Sequence, residues 1–230
     1  SRVYTRYADG VHDEELARLS LALMLTLRGT PFLYNGEEIG MTDLFLKDIS
    51  LFQDNLGVWY YHTQVADLGM EHAEALDKAA RLTRDKNRTP MQWAKAPNAG
   101  FCPEGVTPWL PVNPNYAAGI NVQAQQHQPD SLLNFYRQML RLRKNTPALV
   151  VGDYQEYHPR NRKVLAFFRT FTEQTCLVAL NYSALPARVV LPTGYQHRRV
   201  LYSSFEMNSS AQAERWVKIP PYQFIIYELS

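Results

Sequence analysis

The residues best equipped for chemistry lie in one stretch, 84–93, which reads Arg-Asp-Lys-Asn-Arg-Thr-Pro-Met-Gln-Trp. Arg84 and Arg88 stand four apart around Asp85. If Arg84 opens an α-helical turn, that spacing puts both guanidinium groups on one side, where planar donor forks can bracket a carboxylate or several sugar hydroxyls. Pro90 stops the turn. Thr89 is held extended by the proline after it, and Met91, Gln92 and Trp93 form an apolar and aromatic step that can wall a pocket. A surface loop with a structural Arg–Asp pair accounts for the same residues, since most arginine ion pairs do nothing beyond pairing.

The other reactive side chains are less well arranged. Glu37 and Glu38 are adjacent, and neighbours in sequence do not converge on one bond as two carboxyls from different strands do, so both read as structural support. Cys102 lies in a Pro/Gly-rich loop and Cys176 in an apolar strand pattern; no disulfide framework follows, and both are expected to be free thiols. The histidines, His12, His62, His72, His127, His158 and His197, show no ligand spacing. Neither a metal nor a cofactor is expected.

The elements that must position these groups fall into two kinds. From Asp13, a candidate N-cap, Leu16, Leu19, Leu23 and Leu27 recur at helical steps until Gly29. Residues 31–34 read as a short buried strand and 35–40 as the loop at its carboxyl end, one αβ step of a parallel sheet; in a barrel that loop lies on the ligand face. Residues 42–83 form a long connection with an aromatic cluster at Trp59, Tyr60 and Tyr61 and a helix at 71–82. Residues 98–128, pinned by Pro103, Pro108, Pro111 and Pro114, read as an ordered loop. Trp109 and Tyr116 in it can stack on sugar faces, although packing is the commoner use of such aromatics. Asp130 and Ser131 cap a helix whose end carries Arg137, Arg141, Arg143 and Lys144, suited to its own dipole. After Pro147 the helical period gives way to short β runs at 154–157, 164–171, 176–181, 188–191, 199–201, 216–219 and 224–229, an antiparallel sandwich or small barrel. The expected division is 1–146 and 147–230.

Composition narrows the function classes. The 230 residues are 46% hydrophobic, enough to bury a sizeable core. A net charge of +2, with both signs mixed along the chain, offers no basic stripe to a nucleic acid and no polybasic run to a membrane surface. Apolar runs such as 21–27 are too short to span a bilayer, and a cytoplasmic location is expected.

Residues 84–93, followed by Pro-Asn-Ala-Gly-Phe at 97–101 and Pro-Trp-Leu-Pro-Val-Asn-Pro-Asn-Tyr at 108–116, resemble the family 13 glycoside hydrolases, in the α-glucosidase and oligo-1,6-glucosidase branch. Gly-Thr-Pro-Phe-Leu-Tyr-Asn-Gly-Glu-Glu-Ile-Gly-Met at 29–41 is similar to that family's eighth barrel strand and loop. The resemblance implies the C-terminal portion of a (β/α)8 TIM barrel followed by an antiparallel β-sandwich domain. It also implies that Arg84 and Arg88 line the pocket that closes on a terminal, non-reducing glucose. Arg88 is expected to matter most, its fork fixed by a neighbouring carboxylate, and Arg84 second. Asp54 is matched, loosely, to an acidic residue near the acceptor site, with a turn residue as the equal alternative. Arg2, Asp85, Glu37 and Glu38 are expected to support those residues from behind.

Ser1 and Arg2 resemble the tail of a motif ending the seventh strand, so the reacting Asp, Glu and Asp are expected upstream. The 230 residues alone are then expected to be inactive, with an α-glucoside oligosaccharide as substrate of the complete enzyme and the N-terminal barrel portion as a missing partner. A non-catalytic scaffold relative and a trehalose synthase-like transglycosidase are the rivals, and the choice among α-1,4, α-1,6 and sucrose linkages stays open.

Overall fold

The computed structural model describes residues 1–158, 163–195, 198–207 and 215–230; His197 lies outside them. Contacts group the chain into two compact units, 1–7 with 33–134, and 8–32 with 135–230.

The first unit holds a short helix α1, Val3–Arg6, two packed helices α3, Asn55–Ala66, and α4, His72–Leu82, and a one-turn α5, Val122–Gln125. The Asp54 side chain caps α3 by accepting from Leu56 N–H, and Glu71 caps α4 by accepting from Ala73 and Glu74 N–H, each satisfying otherwise orphaned donors. Gly57 is the point of closest approach: a Cβ there would come within 2.8 Å of both Phe52 and Thr83, so the start of α3 lies against the end of α4. Leu46, Phe52, Ala79, Ala80 and Leu110 form their core. A second cluster joins Ile39, Met41, Met91 and Leu133.

Residues 31–34 differ from expectation. They form no strand and pair with none among the described residues, and Phe32 is 86% exposed. A parallel strand is stable only between hydrogen-bonded neighbours, and none pairs with these residues among the described ones.

The second unit contains α2, Asp13–Thr26, α7, Pro147–Val151, and the seven strands found among the described residues; α6, Leu132–Lys144, enters it at Phe135. Ser131 Oγ accepts from Asn134 N–H at 3.2 Å, the expected cap of α6. The strands are β1 Asp153–Tyr157, β2 Val164–Phe171, β3 Gln174–Asn181, β4 Ala187–Val190, β5 Arg198–Ser203, β6 Trp216–Ile219 and β7 Phe224–Leu229. They form an antiparallel sheet in the order β1-β2-β3-β7-β5 and a second, β4-β6. Leu177, Ala179, Ile225 and Tyr227 of the large sheet share one core with Ala187, Val189, Val217 and Ile219 of the small one, which makes the domain a sandwich. The opposite face, with Phe167, Val178 and Ile226 paired in register, is also buried, covered by α2 and α7. Being covered on both sides is why β3 reads as an unbroken apolar run. Each such Leu or Ile buried contributes about 1.5–3 kcal/mol.

Two buried arginines complete this unit. Arg169 donates to the carbonyls of Thr26, Leu149 and Gly152. Arg143 donates to those of Leu25, Leu27 and Gly29. Both guanidinium groups thus sit on carbonyls at the negative end of α2, where no intrahelical donor remains. For Arg143 this replaces the expected role at the end of its own helix. The expected N-cap of α2 also moves: His12 occupies that position, while Asp13 accepts from Asp9 and Gly10 N–H.

Candidate functional site

The arginine turn is built by a reciprocal clasp. The Asp54 carboxylate, its side chain 1% exposed, accepts from Arg84 Nη2 at 2.7 Å, Arg84 Nε at 3.0 Å and the Arg84 backbone N–H at 2.8 Å. In return Asp85 Oδ2 accepts the backbone N–H of Gln53 at 2.7 Å and of Asp54 at 2.8 Å. Asp54 thus fixes the backbone of Arg84, the residue before Asp85, and Asp85 fixes that of Asp54 and Gln53. The hydrogen bonds from Arg84 hold the Asp54 carboxyl well below the usual carboxylate range and push the Arg84 guanidinium up. Arg84 is nonetheless 60% exposed along its side chain, so one face of a fixed fork stays available.

The turn itself, Asp85–Asn87, is 3-10 and not α. With three residues per turn, positions four apart are rotated by about 120°, so the helical argument for bringing Arg84 and Arg88 to one side does not apply. Arg88 ends the turn, exposed, and among the described residues its guanidinium makes no hydrogen bond. The carboxylate expected to fix it, Asp85, is spent on backbone N–H groups. What holds Arg88 is its main chain: its N–H donates to Asp85 O at 3.0 Å, and its carbonyl accepts from Trp109 Nε1 at 3.0 Å.

Behind the turn sits Arg2, 2% exposed. It donates from Nη1 to Asn35 O at 2.6 Å and from Nη2 to Asn87 O at 2.9 Å, and its own N–H reaches Asp43 Oδ1 at 2.8 Å. One side chain thereby ties the 35–40 loop to the arginine turn. Desolvation pulls its pKa down against the carboxylates and Tyr34 around it. Glu37 accepts Val3 N–H, and burial pushes its carboxyl up; Glu38 accepts Gly36 N–H at 2.8 Å. Lys86, which sequence reasoning passed over, donates to the carbonyls of Arg81 and Thr83 and closes the end of α4 under the turn. Its type gave no signal, because a lysine beside two arginines reads as a solvated face.

Among the described residues no cluster of His, Cys, Asp or Glu could hold a metal ion, and no helix is long and apolar enough to cross a membrane. Cys102 and Cys176 are both free, the latter buried.

The family described as alpha amylase, catalytic domain, matches residues 1–152, and maltogenic amylase, C-terminal domain, matches 154–226. The chain belongs to the alpha-amylase family. Like others of the family, it is similar to oligo-1,6-glucosidase of Parageobacillus thermoglucosidasius, 30% identical over 99% of this chain and 40% of that protein. Trehalose-6-phosphate hydrolase of Bacillus licheniformis superposes with a TM-score of 0.82 at 32% identity, over 100% of this chain and 41% of the other. A mutant isomaltulose synthase of Erwinia rhapontici NX5, solved with sucrose, gives 0.82 at 33% identity over the same shares. The chain spans about 40% of the length of such relatives. The resemblance drawn from residues 29–41 and 84–116 is thus borne out, as is the fold class, a catalytic-domain portion followed by an antiparallel β domain.

Proposed function

We propose that this chain is part of a retaining α-glucosidase-type glycoside hydrolase, with 1–146 the end of the catalytic barrel, 147–230 its sandwich, and Arg84 and Arg88 walling the pocket for a terminal glucose. The observation that carries this is the clasp: a buried carboxylate holds Arg84 through Nε and Nη2 while the side chain stays 60% exposed, so the remaining guanidinium N–H groups can donate to hydroxyls without reorganising. Asp54 acts in this reading through Arg84 and not on sugar directly. Arg2 and Asp85 hold the turn in place. Glu37 and Glu38 serve the 35–40 loop and do no chemistry, so the 230 residues alone give no turnover, and the working site is that of a full-length, cytoplasmic protein.

The test is hydrolysis of 4-nitrophenyl α-glucoside, isomaltose, maltose and sucrose by the full-length protein and by the 230-residue chain. Release of glucose by the first and not by the second is expected. Turnover by the short chain, or none by the full-length protein, would overturn the reading, the latter favouring a scaffold role. The likeness to isomaltulose synthase supports a second reading, transglycosylation; analysis of the products from sucrose separates isomerised disaccharide from free glucose and fructose.

A further inference from the structure

The 230 residues hold a single Asn-Gly pair, Asn35–Gly36, in the loop that Arg2 ties to the arginine turn. Glycine has no Cβ to shield its nitrogen, so such a pair carries chemistry of its own. Here the peptide between the two residues is pinned. Asn35 O accepts from Arg2 Nη1 at 2.6 Å, Gly36 N–H donates to Glu38 Oε2 at 2.8 Å, and Gly36 O accepts from Met41 N–H at 2.9 Å. Tyr34 O accepts from Glu37 N–H at 3.1 Å, which makes 34–37 a β-turn with Asn35 and Gly36 at its centre. Gly36 has φ 91° and ψ −8°, while Asn35 keeps a negative φ. The turn is therefore type II and not the type I′ that Asn-Gly favours in hairpins. Space is closed as well: a Cβ on Gly36 would collide with Met41 Sδ and lie 2.9 Å from Arg2 Nη1.

We propose that Asn35 is a latent site of self-modification, deamidation through a cyclic imide, and that Arg2 and Glu38 lock it. In the reaction the Gly36 nitrogen gives up its proton and bonds to Asn35 Cγ; the Cγ–Nδ2 bond breaks, and Nδ2 leaves with that proton as ammonia. Water then opens the ring at one carbonyl or the other, leaving aspartate or isoaspartate. Ring closure needs the Gly36 nitrogen eclipsed with the Asn35 Cα–Cβ bond. A type II turn, with ψ about +120° at its first central residue, points that nitrogen well away. Reaching the reactive orientation means swinging the peptide about ψ of Asn35. That motion takes the Asn35 carbonyl off Arg2 and the Gly36 N–H off Glu38, and both bonds are charge-assisted. The step is intramolecular and asks for no partner but water, so it goes beyond the proposed function and does not depend on it. Its consequence reaches the arginine turn. Isoaspartate routes the main chain through Cγ and moves the carbonyl that Arg2 Nη1 holds, while Arg2 Nη2 holds Asn87 O.

The experiment incubates full-length protein at mildly alkaline pH, folded and in guanidinium chloride, and follows isoaspartate in tryptic peptide 29–47, which lies between cleavage sites at Arg28 and Lys47. Wild type, Glu38→Ala and Arg2→Met are compared, and Asn35→Gln, whose longer side chain disfavours the ring, sets the background. Folded wild type is expected to form isoaspartate at least about tenfold more slowly than unfolded wild type, the factor set by breaking one charge-assisted hydrogen bond. Folded Glu38→Ala and folded Arg2→Met should each react about tenfold faster than folded wild type, with all three equal in denaturant. Equal rates in folded and unfolded wild type would overturn the inference. So would a folded Glu38→Ala that reacts no faster than wild type. Should Arg2→Met fail to fold, Glu38→Ala decides; should both fail, hydrogen exchange at the Gly36 amide of wild type reports the same opening without a substitution. A protected amide supports the lock, and an unprotected one overturns it.

Discussion

Replacing Asp54 with Asn in the full-length protein probes the clasp without changing its shape. Every partner of the carboxylate is a donor: Leu56 N–H and Arg84 Nη2 on one oxygen, Arg84 N–H, Arg84 Nε and Thr83 Oγ1 on the other. An amide has only one acceptor oxygen. Turned to keep the three-donor side, it presents its NH2 to Leu56 N–H and Arg84, which costs a helix cap, about 1 kcal/mol, and a charge-assisted contact to a largely exposed arginine, about 0.5–1 kcal/mol after solvent screening. A loss of about 2 kcal/mol in total follows, lowering Tm by at least about 2 °C.

The pH dependence has a definite sign. The folded carboxyl lies below its ordinary 3.8, so above that value the native state gains the whole contribution. Below it the unfolded state binds the proton first, and the stability gap between wild type and Asp54→Asn should shrink by about 1 kcal/mol on reaching pH 3. Thermal melts of both proteins from pH 7 to pH 3, with kcat/KM at pH 7, measure this. Identical Tm at pH 7, or a gap that widens on acidification, would refute the reasoning.

Arg88→Lys in the full-length enzyme keeps charge but not the fork, and should lower kcat/KM on its best glucoside by about 2–4 kcal/mol of transition-state stabilisation, with Tm unchanged; wild-type kinetics would restore the structural-loop reading. Arg169→Met leaves the Thr26, Leu149 and Gly152 carbonyls without their donor and should destabilise the second unit by about 1–3 kcal/mol in urea titration; a stability equal to wild type would show that water replaces the guanidinium. Cys176 is buried, its thiol pushed up to about 12 by desolvation, so titration with a thiol reagent should modify Cys102 first and both thiols after unfolding. Fewer than two thiols in the unfolded chain would contradict the free-cysteine assignment.

The β domain was legible because its strands alternate or run apolar between turn residues, and 216–219 and 224–229 coincide with β6 and β7. The capped helices at 71–82 and after Ser131 were legible for the same local reason. Helix α3 was not: Leu56 and Trp59 are exposed while Val58, Tyr60 and Tyr61 pack inward, so apolar residues on all sides erase the period. Residues 31–34 carry a strand's composition without a paired neighbour among the described residues. At the site, the residue types and the resemblance nominate Arg84, Arg88 and Arg2 as candidates, and the structure adds that Arg2 bonds the carbonyls of Asn35 and Asn87. The pairing was not legible, because Asp54 reaches Arg84 across 30 residues while adjacent Asp85 turns to the backbone. Division by contacts was hidden for a similar reason: α2 lies far before the strands it covers.

The most direct measurement is the structure of the full-length protein with bound glucose. The account predicts Arg84 and Arg88 guanidinium nitrogens within hydrogen-bond distance of hydroxyls on a terminal glucose, with the Asp54 pair intact beneath. A glucose bound elsewhere, with the 84–88 turn facing bulk solvent, would contradict it.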